Sequence, residues 1–230
     1  MNAYKTTHMK QLILLLGMMS TAYAVTAQDK TQGRIEYEIV LNLHANLKPD
    51  QQQFKEMIPE TAVQKEVLYF NGDKSRLDRK SMEEMTSEEG AKIKIQTGDE
   101  DEIAIYTDGA TDKQYSLQQK EGKKILVDRD KSDKKKGDDK AGGKEVKGSK
   151  TKVILGYTCY DVGTKRKGDN MTLWVTDELP FQGGPLGAYN DKAILGMDAK
   201  GMSVVAKKID FVPVAREEVT LPAGVPVQGK

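Results

Sequence analysis

The sequence predicts a mainly β protein, an antiparallel meander curved into a half-open or closed β-barrel with one or two short helices; a β-sandwich is the alternative. Three observations carry this. Apolar residues recur at every second position in run after run, Asn-Gly and Asp-Gly dipeptides separate such runs, and helical spacing is almost absent.

The first strand shows the alternation most clearly. Ile35, Tyr37, Ile39, Leu41 and Leu43 share one face, while Glu36, Glu38 and Asn42 take the other, the pattern of a half-buried strand. Val67-Leu68-Tyr69-Phe70 and Lys74-Ser75-Arg76-Leu77 flank Asn71-Gly72, and Asn-Gly supplies the positive φ that a tight hairpin needs. The pairs Ile93/Ile95, Ile103/Ile105, Tyr115/Leu117 and Ile125/Val127 repeat the two-residue spacing, with Asp108-Gly109 as a further turn. Val153 to Val162 reads as one strand, Gly163 to Asn170 as a polar hairpin tip, Met171 to Val175 as the returning strand, and Met202 to Phe211 as a late strand. Phe54, Met57 and Ile58 have helical spacing between Pro49 and Pro59, and a second helical turn is expected near Ala188 to Leu195. A sheet with one apolar face must cover it, and with so few helices the sheet is expected to curl on itself, the Phe54–Ile58 helix serving as plug or lid.

Lys5 and Lys10, the apolar run Leu12 to Met19 and the small residues Ser20 to Ala27 follow the order of a secretory signal peptide. The run is shorter than the roughly 20 residues of a membrane-spanning helix. The reading is therefore residues 1–27 as signal, then a single β-rich domain over 28–230, periplasmic or extracellular and soluble after cleavage. Removing the signal takes away two lysines and no acid, leaving a nearly neutral chain without the basic footprint of a nucleic-acid binder. Residues 128–150 are almost wholly Lys, Asp, Gly, Ser and Ala, and are expected to be a disordered insertion. The single cysteine, Cys159, has no partner for an internal disulfide and is read as a buried, inert thiol.

Chemistry is sparse. Of the two histidines, His8 belongs to the signal and His44 ends the first strand, which leaves little for triad hydrolysis. One cysteine and one histidine cannot make a zinc site. The run Asp99-Glu100-Asp101-Glu102 lacks the order of a calcium loop and is read as a solvated hairpin tip. No phosphate-binding glycine loop occurs, so no cofactor is expected.

In the C-terminal half, Lys152 and Ile154 lead into Gly156-Tyr157-Thr158-Cys159, then Trp174-Val175-Thr176, Leu179-Pro180 and Gly184-Pro185. With Ile35-Glu36-Tyr37 and Leu68-Tyr69-Phe70-Asn71, this order resembles the GLPGLI-type secreted bacterial envelope proteins or a sister family. At the place of the naming motif this chain has Gly187-Ala188-Tyr189 and Ala193-Ile194-Leu195-Gly196-Met197. The resemblance implies export and a β-rich fold, and brings no catalytic residue with it. A looser likeness is to the periplasmic lipoprotein carriers, whose half-barrels hold acyl chains beneath short helices.

The expectation is a non-enzymatic envelope protein binding an apolar or amphipathic ligand such as a lipid. Ile35, Tyr37, Ile39, Leu41, Phe54, Met57, Ile58, Tyr69 and Trp174 would line or cap the interior. A packed core built from the same residues is the competing expectation. The alternative function is an interaction or assembly module whose strand edges and Gly183–Gly187 loop bind another envelope protein, and the remaining one is a carboxylate-dependent hydrolase.

Overall fold

A computed structural model describes residues 29–79, 84–86, 92–94, 99–129, 146–166 and 169–228. The expected signal peptide and most of the charged insertion lie outside the described residues, as does the side chain of Phe54.

Fourteen strands are described: β1 (Gln32–Asn42), β2 (Thr61–Asn71), β3 (Lys74–Asp78), β4 (Glu84–Thr86), β5 (Lys92–Lys94), β6 (Glu102–Asp108), β7 (Lys113–Lys120), β8 (Lys123–Asp128), β9 (Val146–Ile154), β10 (Tyr157–Arg166), β11 (Asp169–Thr176), β12 (Ala193–Ala199), β13 (Met202–Asp210) and β14 (Val227–Gln228). Twelve form one sheet in the order β14-β8-β7-β6-β3-β2-β1-β13-β12-β11-β10-β9; β4 pairs only with β5. Every pairing in the large sheet is antiparallel except β14 on β8.

The mainly β expectation holds, and barrel closure does not. β9 and β14 stand at opposite ends of the strand order, with no pairing between them among the described residues. The sheet curls instead until side chains from β6 (Ile105) and β9 (Ile154) join one core with Ile35, Leu68, Leu173 and Val204. Filling that concavity with side chains costs less than closing a ring of this many strands, whose interior would be wide enough to hold solvent.

The Asn71-Gly72 hairpin is as expected, with Gly72 at φ 61° between β2 and β3. Other expectations change. Val153 to Val162 is two strands, because the chain reverses at Leu155-Gly156, both at positive φ (51° and 87°). That is the geometry of a type I′ turn, and a leucine in its first central position hid it. β10 and β11 run on through most of the expected Gly163–Asn170 tip, and the last five residues of the expected disordered insertion, Val146 to Lys150, lie in β9. Ile93 sits in the separate β4–β5 pair. Ile103 and Ile105 part company: a register shift between Glu102 and Ala104 sends Ile105 to the main core and Ile103 to a smaller cluster on the other face.

The helical elements among the described residues are short 3-10 turns. Pro49–Met57 forms 3-10 turns whose described side chains are all exposed, so it does not plug the sheet. The second helical turn, expected near Ala188 to Leu195, does not form: residues 188–192 are irregular and β12 begins at Ala193, while a short 3-10 turn at Pro185–Gly187 precedes them. No helix is long and apolar enough to cross a membrane among the described residues.

Two non-strand segments cover the sheet. The β11–β12 connection enters the concave face, burying Leu179, Phe181, Pro185 and Gly187. The C-terminal segment after β13 crosses the convex face, where Leu221 and Val225 pack on Ala104, Tyr106, Leu117 and Leu126 before β14 adds to β8.

Candidate functional site

The inner face of β2 reads Ala62, Gln64, Glu66, Leu68, Phe70, and places one buried acid next to the buried apolar Leu68 and Phe70. Glu66 is 4% exposed. Arg79, just beyond β3, reaches it with Nη1 at 2.5 Å and contacts Glu102 Oε1 through Nε at 2.9 Å. Ser116 on β7 donates to Glu102 Oε2 at 2.6 Å, and the Arg129 guanidinium lies 3.6 Å from the same oxygen. One arginine is thus shared by two carboxylates in a region where an unpaired charge would cost several kcal/mol, on the order of 3–5.

The 3-10 turn Pro185–Gly187 closes over this cluster. Leu186 donates its backbone N–H to Glu66 Oε2 at 2.8 Å, and its carbonyl accepts from Arg79 Nη2 at 3.4 Å. Leu186 holds φ 57°, ψ 16°, a left-handed conformation unfavourable for a residue with a Cβ, so the ionic cluster and the surrounding packing hold it there. Gly184 makes the approach possible: a Cβ on it would lie 2.5 Å from the Ile194 side chain and 2.9 Å from its carbonyl oxygen. Burial raises Glu66 above its ordinary carboxylic acid value, opposed by Arg79 and the Leu186 N–H. The arrangement ties β2, β3, β6 and β7 to the inserted loop, and the charges of Glu66, Arg79 and Glu102 are sealed from solvent.

The expected ligand residues do not form one site. Ile35, Tyr37 and Ile39 are buried in the main core, and the Tyr37 hydroxyl donates to the Ile194 carbonyl at 2.7 Å. Leu41 packs at the margin of that core. Tyr69 alternates with buried Leu68 and Phe70 and so faces outward, with the Arg76 guanidinium 5.0 Å from its ring centroid. Trp174 is half-buried between Leu173 and Val175, its Nε1 donating to Asp198 Oδ2 at 2.7 Å and the Lys152 ammonium standing 5.3 Å from its ring. Met57 is 45% exposed in the outlying 3-10 segment, and Ile58 follows it, half-buried.

His44 donates from Nε2 to the Ile58 carbonyl at 2.7 Å, a turn contact. Cys159 is buried, and burial, helped by the Glu178 carboxylate, pushes its thiol up to about 11, which leaves it protonated and unreactive at neutral pH. The acidic run is not wholly solvated, because Glu102 turns inward to Arg79. The Gly183–Gly187 loop, expected to be an exposed binding loop, is largely buried. Among the described residues no group of His, Cys, Asp and Glu is arranged to hold a metal ion.

Sequence reasoning missed Glu66, Arg79, Glu102, Ser116 and Arg129. The available signals were Glu66 sharing a face with Leu68 and Phe70, and the Asn71-Gly72 hairpin, whose register runs on to set Arg79 opposite Glu66; Glu102, Ser116 and Arg129 carried none, since they come from strands distant in sequence.

No protein-family model matches the chain, and no curated protein matches it. Solved structures do. PNGF-II in a C2 space group aligns with a TM-score of 0.55 at 13% identity, and PNGF-II in a P21 space group with 0.54 at 14%. In both, the match covers 86% of this chain and 31% of the other, so this chain spans about a third of the length of those proteins. The likeness shows the fold alone.

Proposed function

We propose that this chain is a non-enzymatic, exported envelope protein that works as an interaction or assembly module. The observation that favours this over an amphipath carrier is the occupied concavity. Where a carrier holds its ligand, this sheet holds Leu179, Phe181 and the Pro185–Gly187 turn of its own chain, packed among Ile35, Tyr37 and Ile39. Displacing that loop for a ligand would leave Glu66 and Arg79 without two backbone partners. Its surfaces, rather than its interior, are then what it offers. A β fold matching one third of longer solved chains suits a module of this kind. Export rests on residues 1–27, and the likeness to GLPGLI-type envelope proteins points the same way.

The test is photo-crosslinking in the native envelope from exposed positions on several faces, with organic extraction of the purified protein. A discrete protein adduct confined to one face supports the module. A stoichiometric lipid in the extract, with no adduct from any face, overturns it in favour of a carrier.

A further inference from the structure

The two ends of the large sheet are treated differently. At the β8 end the chain adds a strand of its own: Val227 and Gln228 pair in parallel with Leu126 and Val127, and Leu126 donates its N–H to the Pro226 carbonyl. At the other end β9 has β10 on one side and, among the described residues, no strand on the other.

The register says which backbone groups face outward. Ile154 and Tyr157 flank the two-residue Leu155-Gly156 turn and pair with each other, so they exchange the hydrogen bonds that close the hairpin. In an antiparallel ladder such pairs alternate with pairs that make no mutual bonds. Lys152–Cys159 is the next bonded pair, and Val153 and Thr151 therefore turn their N–H and C=O away from β10. Further along, Gly148 to Lys150 bulge around Asp161, whose carboxylate accepts the Lys150 N–H at 2.8 Å; a Cβ on Gly148 would collide with it. The straight, open stretch is Thr151 to Ile154, which ends at the Leu155-Gly156 turn.

Its side chains are unusual for an open edge. Val153 is 68% exposed on the strand, and Leu155, at the turn that ends it, is 44% exposed. Lys147, Lys150 and Lys152 also lie on β9, which carries no acid. Lysines guard edges against indiscriminate pairing. Guards all of one sign also select: a second copy laid antiparallel would set lysine against lysine, whereas a strand bearing carboxylates meets complementary charge.

We infer that the Thr151–Ile154 edge of β9 accepts an extended, acidic segment of a partner protein, with acids alternating with apolar residues, as an added strand. The inference rests on the module reading and names the chemistry of its partner. Backbone bonds to Thr151 and Val153 supply affinity, Val153 takes an apolar side chain with Leu155 beside it at the turn, and Lys150 and Lys152 choose the sign of charge.

Fluorescence anisotropy with two labelled synthetic peptides tests it, one alternating Glu with Val and one alternating Lys with Val. The Glu peptide should bind saturably and at least tenfold more tightly than the Lys peptide (a ratio worth about 1.4 kcal/mol), and more weakly as salt is added. Thr151→Pro removes one outward donor without touching the bonded pairs and should cost about tenfold. The double variant Lys150→Glu with Lys152→Glu keeps every backbone group and should reverse the preference between peptides; it serves as the readout if the proline variant fails to fold. Equal affinity for the two peptides, or an unchanged preference in the double variant, overturns the inference. Crosslinks to a partner from Thr151 or Val153 in the envelope without binding of the Glu peptide would sink the acidic chemistry and leave the module standing.

Discussion

Behind β10 to β13 the concave face is lined by Cys159, Leu173, Val175, Met197 and Val204, whereas behind β3, β6 and β7 Leu77 and Ile105 share it with the polar Ser75, Glu102, Thr107, Gln114 and Ser116. Both halves are buried, and both are covered by the same β11–β12 connection. Its leading part, Leu179 and Phe181, packs into the apolar half, and Phe181 meets Phe70 at a 4.9 Å centroid distance. Its following part hands Leu186's N–H and carbonyl to Glu66 and Arg79. The apolar half is held by area removed from water, which tolerates small changes of shape. The polar half is held by charges that must all be paired, and so depends on single residues.

That contrast can be broken from either side. Arg79→Ala should have the largest effect, about 4 kcal/mol of unfolding free energy, because it strands Glu66 and Glu102 together in a buried place. Equilibrium urea unfolding measures it, and a loss below about 1 kcal/mol would show the cluster to be solvated. Leu195→Ala, in the apolar half, should cost about 3 kcal/mol through lost transfer energy and a cavity. The two losses should also differ in character. Adding Glu66→Gln and Glu102→Gln to Arg79→Ala should recover much of its loss, since the stranded charges are gone, while nothing comparable rescues Leu195→Ala.

The pH dependence separates the halves further. Burial raises Glu66 above its ordinary value, so between that value and the raised one the folded protein holds a proton the unfolded chain has released. The contribution of this group is therefore full below about pH 4 and is lost as pH rises through the raised pKa. Stability of the native protein relative to Glu66→Gln should fall with rising pH across that window, read by unfolding at successive pH values. A flat difference would contradict the burial effect. Tyr37→Phe tests a polar bond inside the apolar half: losing the hydroxyl leaves the Ile194 carbonyl without that donor, at a cost of about 1 kcal/mol. The smallest effect should be a gain. Leu155→Asn puts a residue suited to positive φ into an exposed turn and should stabilise by about 0.5 kcal/mol in the same assay.

The same contrast explains what the sequence disclosed. Alternation in Ile35, Tyr37 and Ile39 and the Asn71-Gly72 turn are local signals, and both are realised as read. The scarcity of helical spacing also pointed to the right class. What could not be read is what depends on distant partners or broken registers. Ile103 and Ile105 look like one face until the bulge at Glu102 separates them. Leu155 conceals a reversal because leucine rarely occupies that position. The expected lining residues failed to converge because Tyr69 and Trp174 alternate with buried neighbours on their strands, and the Phe54–Ile58 segment stands away from the core. Barrel closure failed for a related reason: nothing local reports that a connection between two late strands will fill the concavity first.

Ile35 pairs with Ile209, so the middle of the sheet is made from the two ends of the described chain. On one side of that seam β2 pairs with β3 and β6 with β7 and β8 in sequence order, β3 joining β6 across the β4–β5 excursion, and on the other side β9 to β13 pair in sequence order. Each flank can form as a ladder of short hairpins, but the seam needs a long loop closed, and closure is what sets the pace of such folds. A chain emerging from its N-terminus therefore carries β1 without its β13 partner until residues 202–210 have appeared. For most of its synthesis the molecule has no complete middle.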